Sequence, residues 1–230
     1  MKIIFGSIVA DGRGKIAGHV YSKNRAGAYT RTKVTPVNLS SPDQVNVRAR
    51  FAEAAQAWRG LEESERLAWI AAVNDYKKTD IFGSVKVPSG FSLYVRLNAQ
   101  LAAIGVAAIS TPPLPTSVSV FATLTGFTAD SDANITGTVS PGTIPAAESV
   151  IVRATAPVSA GKSFVKSEFR QIGVLTTLVA GAVDISAMYA AKFGGAAAVG
   201  SKIFVEFIHV NETTGQTSQA QQVSMVVEAA

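Results

Sequence analysis

Apolar and polar residues alternate in short bursts near the start of the chain, recur at helical spacing between about residues 42 and 105, and return to alternation beyond residue 117. Residues 2–9, 15–22 and 28–35 read as three short strands. The turn sequences Asp11-Gly12-Arg13-Gly14 and Lys23-Asn24-Arg25-Ala26-Gly27 separate them, giving a β-meander. In the third strand, period-two alternation sets Tyr29, Arg31 and Lys33 on one face and Ala28, Thr30, Thr32 and Val34 on the other. Neither face is strongly apolar, and Gly14, Ala17, Gly18 and Gly27 keep the surface thin. Strands this poor in large side chains bury too little to offset the entropy of ordering them. The pattern predicts that the following helices, or another subunit, cover them.

A helix is predicted from Ser41, as N-cap, and Pro42, whose missing N–H costs nothing at the first helical position. Val47, Phe51, Ala54, Ala55 and Trp58 form its apolar stripe, and Gly60 ends it. A second helix runs from about Glu62 to Tyr76, with Leu67, Ile70, Ala71 and Asn74 inward and Trp69 beside them. Trp58 and Trp69 read as the packing anchors of a helical hairpin. After the turn Val87-Pro88-Ser89-Gly90, Phe91, Tyr94, Leu97, Leu101 and Ile104 predict a third helix, which Gly105 ends or weakens. The proline-rich Thr111–Thr116 reads as a stiff linker.

Beyond it, strands are predicted at Val118–Leu124, Ile135–Val139, Val150–Ala156, Phe164–Leu175, Ile203–Val210 and Val223–Val227, with a short helix or turn at Ile185–Phe193. That density of short strands predicts an antiparallel sandwich of immunoglobulin or fibronectin type III kind. It has neither the cysteine pair nor the strand tryptophan of antibody domains. The predicted fold class is therefore α+β and multidomain: a basic glycine-rich meander or arm (1–40), a helical region packing on it (41–110), a linker (111–116) and an Ig-like sandwich (117–230).

Composition narrows the chemistry. The 230 residues include 36 alanines and 19 glycines, and a hydrophobic share of 47% against 16% charged residues supplies enough apolar surface to fold. There is no cysteine, and His19 and His209 are the two histidines, so disulfides, thiolate metal sites, cysteine nucleophiles and most histidine chemistry are excluded. The longest apolar run, residues 101–109, is about half of a membrane span, which predicts a soluble chain with no membrane partner.

The net charge of +5 is uneven. Residues 1–50 carry nine Lys/Arg against Asp11 and Asp43, residues 51–100 balance six against six, and residues 101–230 hold six against eight. A basic N-terminal element points to an acidic partner (nucleic acid, a membrane surface or a neighbouring protein) or else to a solvated basic surface, and the candidate contact residues are Arg13, Lys15, Lys23, Arg25, Tyr29, Arg31 and Lys33.

Other motifs fail on context. Gly161-Lys162-Ser163 ends like a phosphate loop, but Ala156 stands where its first glycine belongs and the setting is all-β. Gly12, Gly14 and Gly18 lack dinucleotide-site spacing and a following helix. Asp130 and Asp132 fit an Asx-rich turn better than a calcium loop. His209 shares a strand face with Ile203, Val205 and Phe207, as a core or sheet-surface histidine does, with no acid cluster in the sequence beside it. No nucleophile is paired with a base, so no enzyme, catalytic residue, cofactor or metal is predicted.

The stretch GRGKIAGHVYSKNRAGAYTRTKVTPVN, followed by QVNVRARFAEAAQAW, ESERLAWIAA and SGFSLYVRLNAQLAAIG before the proline-rich link, resembles a recurrent type of phage and prophage protein. The resemblance covers roughly residues 12–115; Ala17 stands where glycine is common, and Leu39-Ser40 replaces the usual proline-led helix entry. It implies a virion structural component (capsid-associated, neck or tail) made in the host bacterial cytoplasm, with other virion proteins and copies of itself as partners. It supplies no catalytic residues. Two other readings stand beside it: a nucleic-acid binder acting through the basic face, and an adhesive or glycan-binding module. The latter is poorly served by a C-terminal region whose sole Tyr or Trp is Tyr189.

Overall fold

The computed structural model describes residues 1–6, 9, 11–25, 27–38 and 40–230. The chain is α+β and divides into two compact units, Met1–Ala49 with Lys77–Val87, and Arg50–Tyr76 with Pro88–Ala230. Helix α1, Pro42–Gly60, begins in the first and ends in the second.

The first unit is built on a meander of β1 (Gly14–Ile16), β2 (His19–Asn24) and β3 (Gly27–Thr32) in the order β1-β2-β3. The strand predicted over residues 15–22 is instead broken by a tight hairpin in which Ile16 faces His19 and Ala17 takes a left-handed φ of 48°. The strand predicted over 2–9 lies partly outside the described residues. Within them, Lys2 bridges antiparallel to Tyr29, Ile3 N–H donates to Ala28 O (3.1 Å) and Thr30 N–H donates to Met1 O (2.8 Å). The chain start thus edges β3.

Two further short strands, β4 (Lys78–Thr79) and β5 (Val85–Lys86), form a hairpin around Asp80. The Asp80 Oδ1 accepts from Phe82 N–H (2.9 Å) and Ser84 N–H (3.0 Å), and Gly83 supplies the φ of 77° that closes the turn. Among the described residues of this unit Thr30 alone is buried.

The second unit has a closed core. Helix α2 spans Glu63–Ala72, and α3, Gly90–Ile104, runs from the Ser89 N-cap to Gly105, whose φ of 79° ends it. Tyr94 of α3 is flanked by Trp58 (5.3 Å between centroids) and Trp69 (5.2 Å), so the tryptophans anchor on α3 rather than in an α1–α2 hairpin. The inward face of α2 also differs from the prediction. Trp69, Val73 and Tyr76 are buried, whereas Leu67 is 55% and Ile70 52% exposed. The bulk of Trp69 decides this orientation, its indole N–H donating to Ser110 O.

The large sheet comprises β6 (Thr123–Asp130), β7 (Ile135–Ser140), β8 (Glu148–Ala154), β9 (Arg170–Leu175), β10 (Ala182–Asp184), β11 (Lys202–Asn211) and β12 (Gln221–Glu228), with α4, Ser186–Phe193, between β10 and β11. Its order is β10-β7-β6-β12-β11-β8-β9, antiparallel throughout except for the β12/β6 pair. Ile135, Val139 and Val183 from one wing share a core with Val152, Val205 and Phe207 from the other, so the sheet curls upon itself. On the opposite face Ile151, Ile208 and Val210 pack against Ala103 and Ile104. Burial on both faces explains why β8 and β11 read as near-continuous apolar runs.

The first of these strands starts later than predicted and runs on past Leu124, through a bulge between Thr125 and Thr128 where Gly126 takes a φ of 61°. The strand predicted from Phe164 begins at Arg170, and β10 was not predicted.

The proline-rich segment is not where the two units part. Tyr76 Oη donates to Pro113 O (2.8 Å), Gln216 Nε2 to Leu114 O (2.7 Å), and Thr116 N–H to Gln216 Oε1 (2.8 Å). Gln216 Nε2 also reaches Tyr76 Oη (3.1 Å), so one side chain joins helical region, link and sheet.

Candidate functional site

The register of the meander decides where its basic side chains go. Lys15, Val20 and Arg31 face one another across the three strands, with Ser22 and Tyr29 in the next row of the same face; Lys23, paired with Ala28, falls on the opposite face. Arg25 lies in the β2–β3 turn and Arg13 immediately before β1. Lys33 follows β3 and donates its backbone N–H to Gly18 O (2.8 Å). The seven candidate residues therefore do not form a single surface: Lys15, Tyr29 and Arg31 share one face, while Arg13 and Lys23 converge on Asp11 at 3.4 and 3.8 Å.

On the Lys23 side the unit has a cleft of about 300 Å³, lined in part by Lys2, Phe5, Asp11, Lys23, Phe82 and Lys86. At its base the Asp80 side chain is 7% exposed and its Oδ2 holds Lys2 Nζ at 3.1 Å and Lys86 Nζ at 3.6 Å. Desolvation alone would raise the Asp80 pKa. The hydrogen bonds from Lys2 and from the Phe82 and Ser84 amides, with the Lys2 charge, outweigh it and bring the pKa to about 2, so the carboxylate stays ionised.

Lys2, Asp80 and Lys86 were not singled out from sequence. The available signal was Asp80-x-x-Gly83 between Lys78-Thr79 and Ser84-Val85-Lys86, an Asx turn flanked by strand formers. Nothing local pairs it with Lys2, 78 residues away.

The other residues singled out sit elsewhere. His209 is buried, with Nδ1 3.2 Å from Glu148 Oε2 and its ring 4.5 Å from Phe121. The acid absent from its sequence neighbourhood is supplied by β8. Burial pushes the imidazole pKa down, against the partial opposition of Glu148. Asp130 accepts from Asp132 N–H, Asn134 N–H and Asn134 Nδ2, which is an Asx turn. Lys162 pairs with Glu168. Among the described residues there is no group of three or more His, Cys, Asp or Glu able to hold a metal ion, and no helix long and apolar enough to cross a membrane.

The arrangement in the first unit can do two things: offer backbone pairing groups at an exposed sheet edge, and present cations in a partly enclosed, partly apolar recess. No protein-family model matches the chain, and no curated protein matches it in sequence.

Proposed function

We propose that the chain is a non-enzymatic structural component of a bacteriophage virion, capsid-associated or in the neck or tail, whose N-terminal basic strands contact neighbouring subunits. The observation that carries this reading is the exposure of the first unit. Its single buried described residue is Thr30, and Ile4, Ile16, Val34 and Val37 are 72%, 68%, 65% and 77% exposed. The outer edge of β1 pairs with no described strand. A thin sheet with a free edge is suited to strand addition, in which backbone hydrogen bonds supply contact and alternate side chains set register.

A protein neighbour is favoured over nucleic acid because the cations are split between two faces and Arg13 and Lys23 are shared with Asp11, leaving a weak phosphate-tracking surface. The resemblance of residues 12–115 to phage proteins points the same way. We read residues 117–230 as an Ig-like sandwich. The wings β10-β7-β6 and β12-β11-β8-β9, joined through the parallel β6/β12 pair, support that reading.

Hydrogen exchange tests the proposal. The amides of residues 14–32 are expected to exchange freely in the isolated chain and slowly in assembled particles. An isolated monomer with the meander already protected would overturn it. So would protection conferred by duplex DNA alone and lost steeply with salt, the outcome for a nucleic-acid binder.

A further inference from the structure

We infer that the cleft of the first unit is a receptor for a carboxylate side chain, carried next to an apolar residue on an extended segment of a neighbouring subunit, and that Lys23 and Lys86 hold it. The inference rests on the assembly reading and names the chemistry of the partner.

Charge balance around the cleft is the starting point. Asp80 is shared by Lys2 and Lys86, and Asp11 by Arg13 and Lys23, so four cations surround two carboxylates. The two carboxylates do not saturate these cations. Lys2 donates a hydrogen bond to Asp80 at 3.1 Å, but Lys86 at 3.6 Å and Lys23 at 3.8 Å stand at ion-pair distance, beyond hydrogen-bond reach of the oxygens they face. Each ammonium carries three donors. The Lys86 Nζ lies over the β2–β3 turn, 3.8 Å from where a Cβ on Gly27 would stand, and its side chain is 31% exposed. A third carboxylate placed between Lys86 and Lys23 would give both ammoniums a hydrogen-bonding partner.

The walls select the kind of carboxylate. Phe82 is 45% and Ile4 72% exposed at the rim, a greasy border that contributes nothing to a phosphate but covers the apolar neighbour of an acidic residue. A recess of about 300 Å³ is large enough for one or two side chains.

The test is amide NMR on the full chain with three probes: the capped peptide acetyl-Glu-Leu-Glu-amide, its Gln-Leu-Gln counterpart, and inorganic phosphate. The expected result is saturable shifts at Lys23, Gly27, Ser84 and Lys86 with the Glu peptide and not with the others. The double variant Lys23→Gln/Lys86→Gln should bind about tenfold more weakly. Arginine at both positions should restore binding, and Lys166→Gln in the second unit should change nothing. Equal shifts with the Gln peptide, equal or stronger binding of phosphate, or no shift at about 10 mM Glu peptide would each overturn the inference. Protection of residues 14–32 in particles is read separately. If it persists while the peptide fails to bind, the cleft inference falls and the assembly reading stands; if it is absent too, both fall.

Discussion

Replacing Gln216 with leucine tests whether residues 111–116 belong to the fold of the second unit or merely link its parts. The side chain is 7% exposed and its amide makes three hydrogen bonds of ordinary length, to Leu114 O, Tyr76 Oη and Thr116 N–H. Leucine keeps the volume and removes all three. At about 1 kcal/mol net per bond, and with water able to reach the exposed Leu114 and Thr116, the loss should be about 2–3 kcal/mol. The Tyr76 hydroxyl, which donates to Pro113 O, loses its second partner at the same time. Urea unfolding followed by tryptophan fluorescence, which reports Trp58 and Trp69, and by far-ultraviolet circular dichroism, which reports the sheet, should give one coincident transition that moves to lower urea in the variant. Exchange of the Thr116 amide should accelerate. A change below about 0.5 kcal/mol, or a wild-type chain whose tryptophan and sheet signals unfold separately, would refute the reasoning.

The neighbouring Gly215 has φ 68°, and a Cβ there would lie 2.4 Å from Leu97 O, so Gly215→Ala should cost at least about 2 kcal/mol in the same urea assay. Ala147, exposed at φ 62°, is strained in the opposite sense, and Ala147→Gly should raise the urea midpoint by about 0.5–1 kcal/mol. His209 has its folded pKa below its ordinary 6.5, so the unfolded chain takes up a proton that the folded chain refuses. Stability from this group is complete above pH 6.5 and declines as pH falls below it; comparing urea midpoints at several pH values with those of His209→Phe should show the slope only in the wild type, and a gain on acidification would mean instead that Glu148 holds an imidazolium.

Much of this architecture could be read in the sequence where local chemistry and tertiary packing agree. Gly105 closes α3 where the pattern placed its end, a left-handed stop being a local device, and Ser89, read as part of the preceding turn, caps its start. The short helix or turn predicted at Ile185–Phe193 is the helix α4, Ser186–Phe193. The misreadings have specific causes. Leu67 and Ile70 drew the inward face of α2 toward themselves, but a fully buried tryptophan with its own acceptor outweighs two aliphatics left half in water. The strand predicted to end at Leu124 continues instead through the bulge at Gly126, with Phe127 lying over Gly137 so closely that a Cβ there would sit 2.5 Å from the ring. The proposed contact set was chosen by charge and lacked its register. The β2–β3 register sets Arg31 opposite Val20 and Lys23 opposite Ala28, on opposite faces, and Asp11, read as a turn residue and a charge, is the acid that Lys23 and Arg13 share. His209 and Glu148 meet across 61 residues of sequence, a pairing that spacing alone does not reveal.

The two units differ in what holds them, and that difference bears on assembly. The second buries extensive apolar clusters and pairs several of its buried polar groups internally, as Asn98 does by exchanging bonds with Ile109 across the end of α3. The first has backbone ladders and a charge network around Asp80 and Asp11 in place of a core. Partly exposed ion pairs are worth about 0–1 kcal/mol each, and fixing the backbone costs about 1–2 kcal/mol per residue. Without substantial apolar burial, those terms leave the first unit close to the balance point by itself. A neighbour that buried Ile16, Val34 and Val37 would add about 1.5–3 kcal/mol per side chain fully covered, enough to fix its shape on contact. The apolar part of that gain is insensitive to screening, whereas the charge network weakens as salt rises. Order in the meander should therefore depend on ionic strength in the free chain and lose that dependence once a subunit covers it.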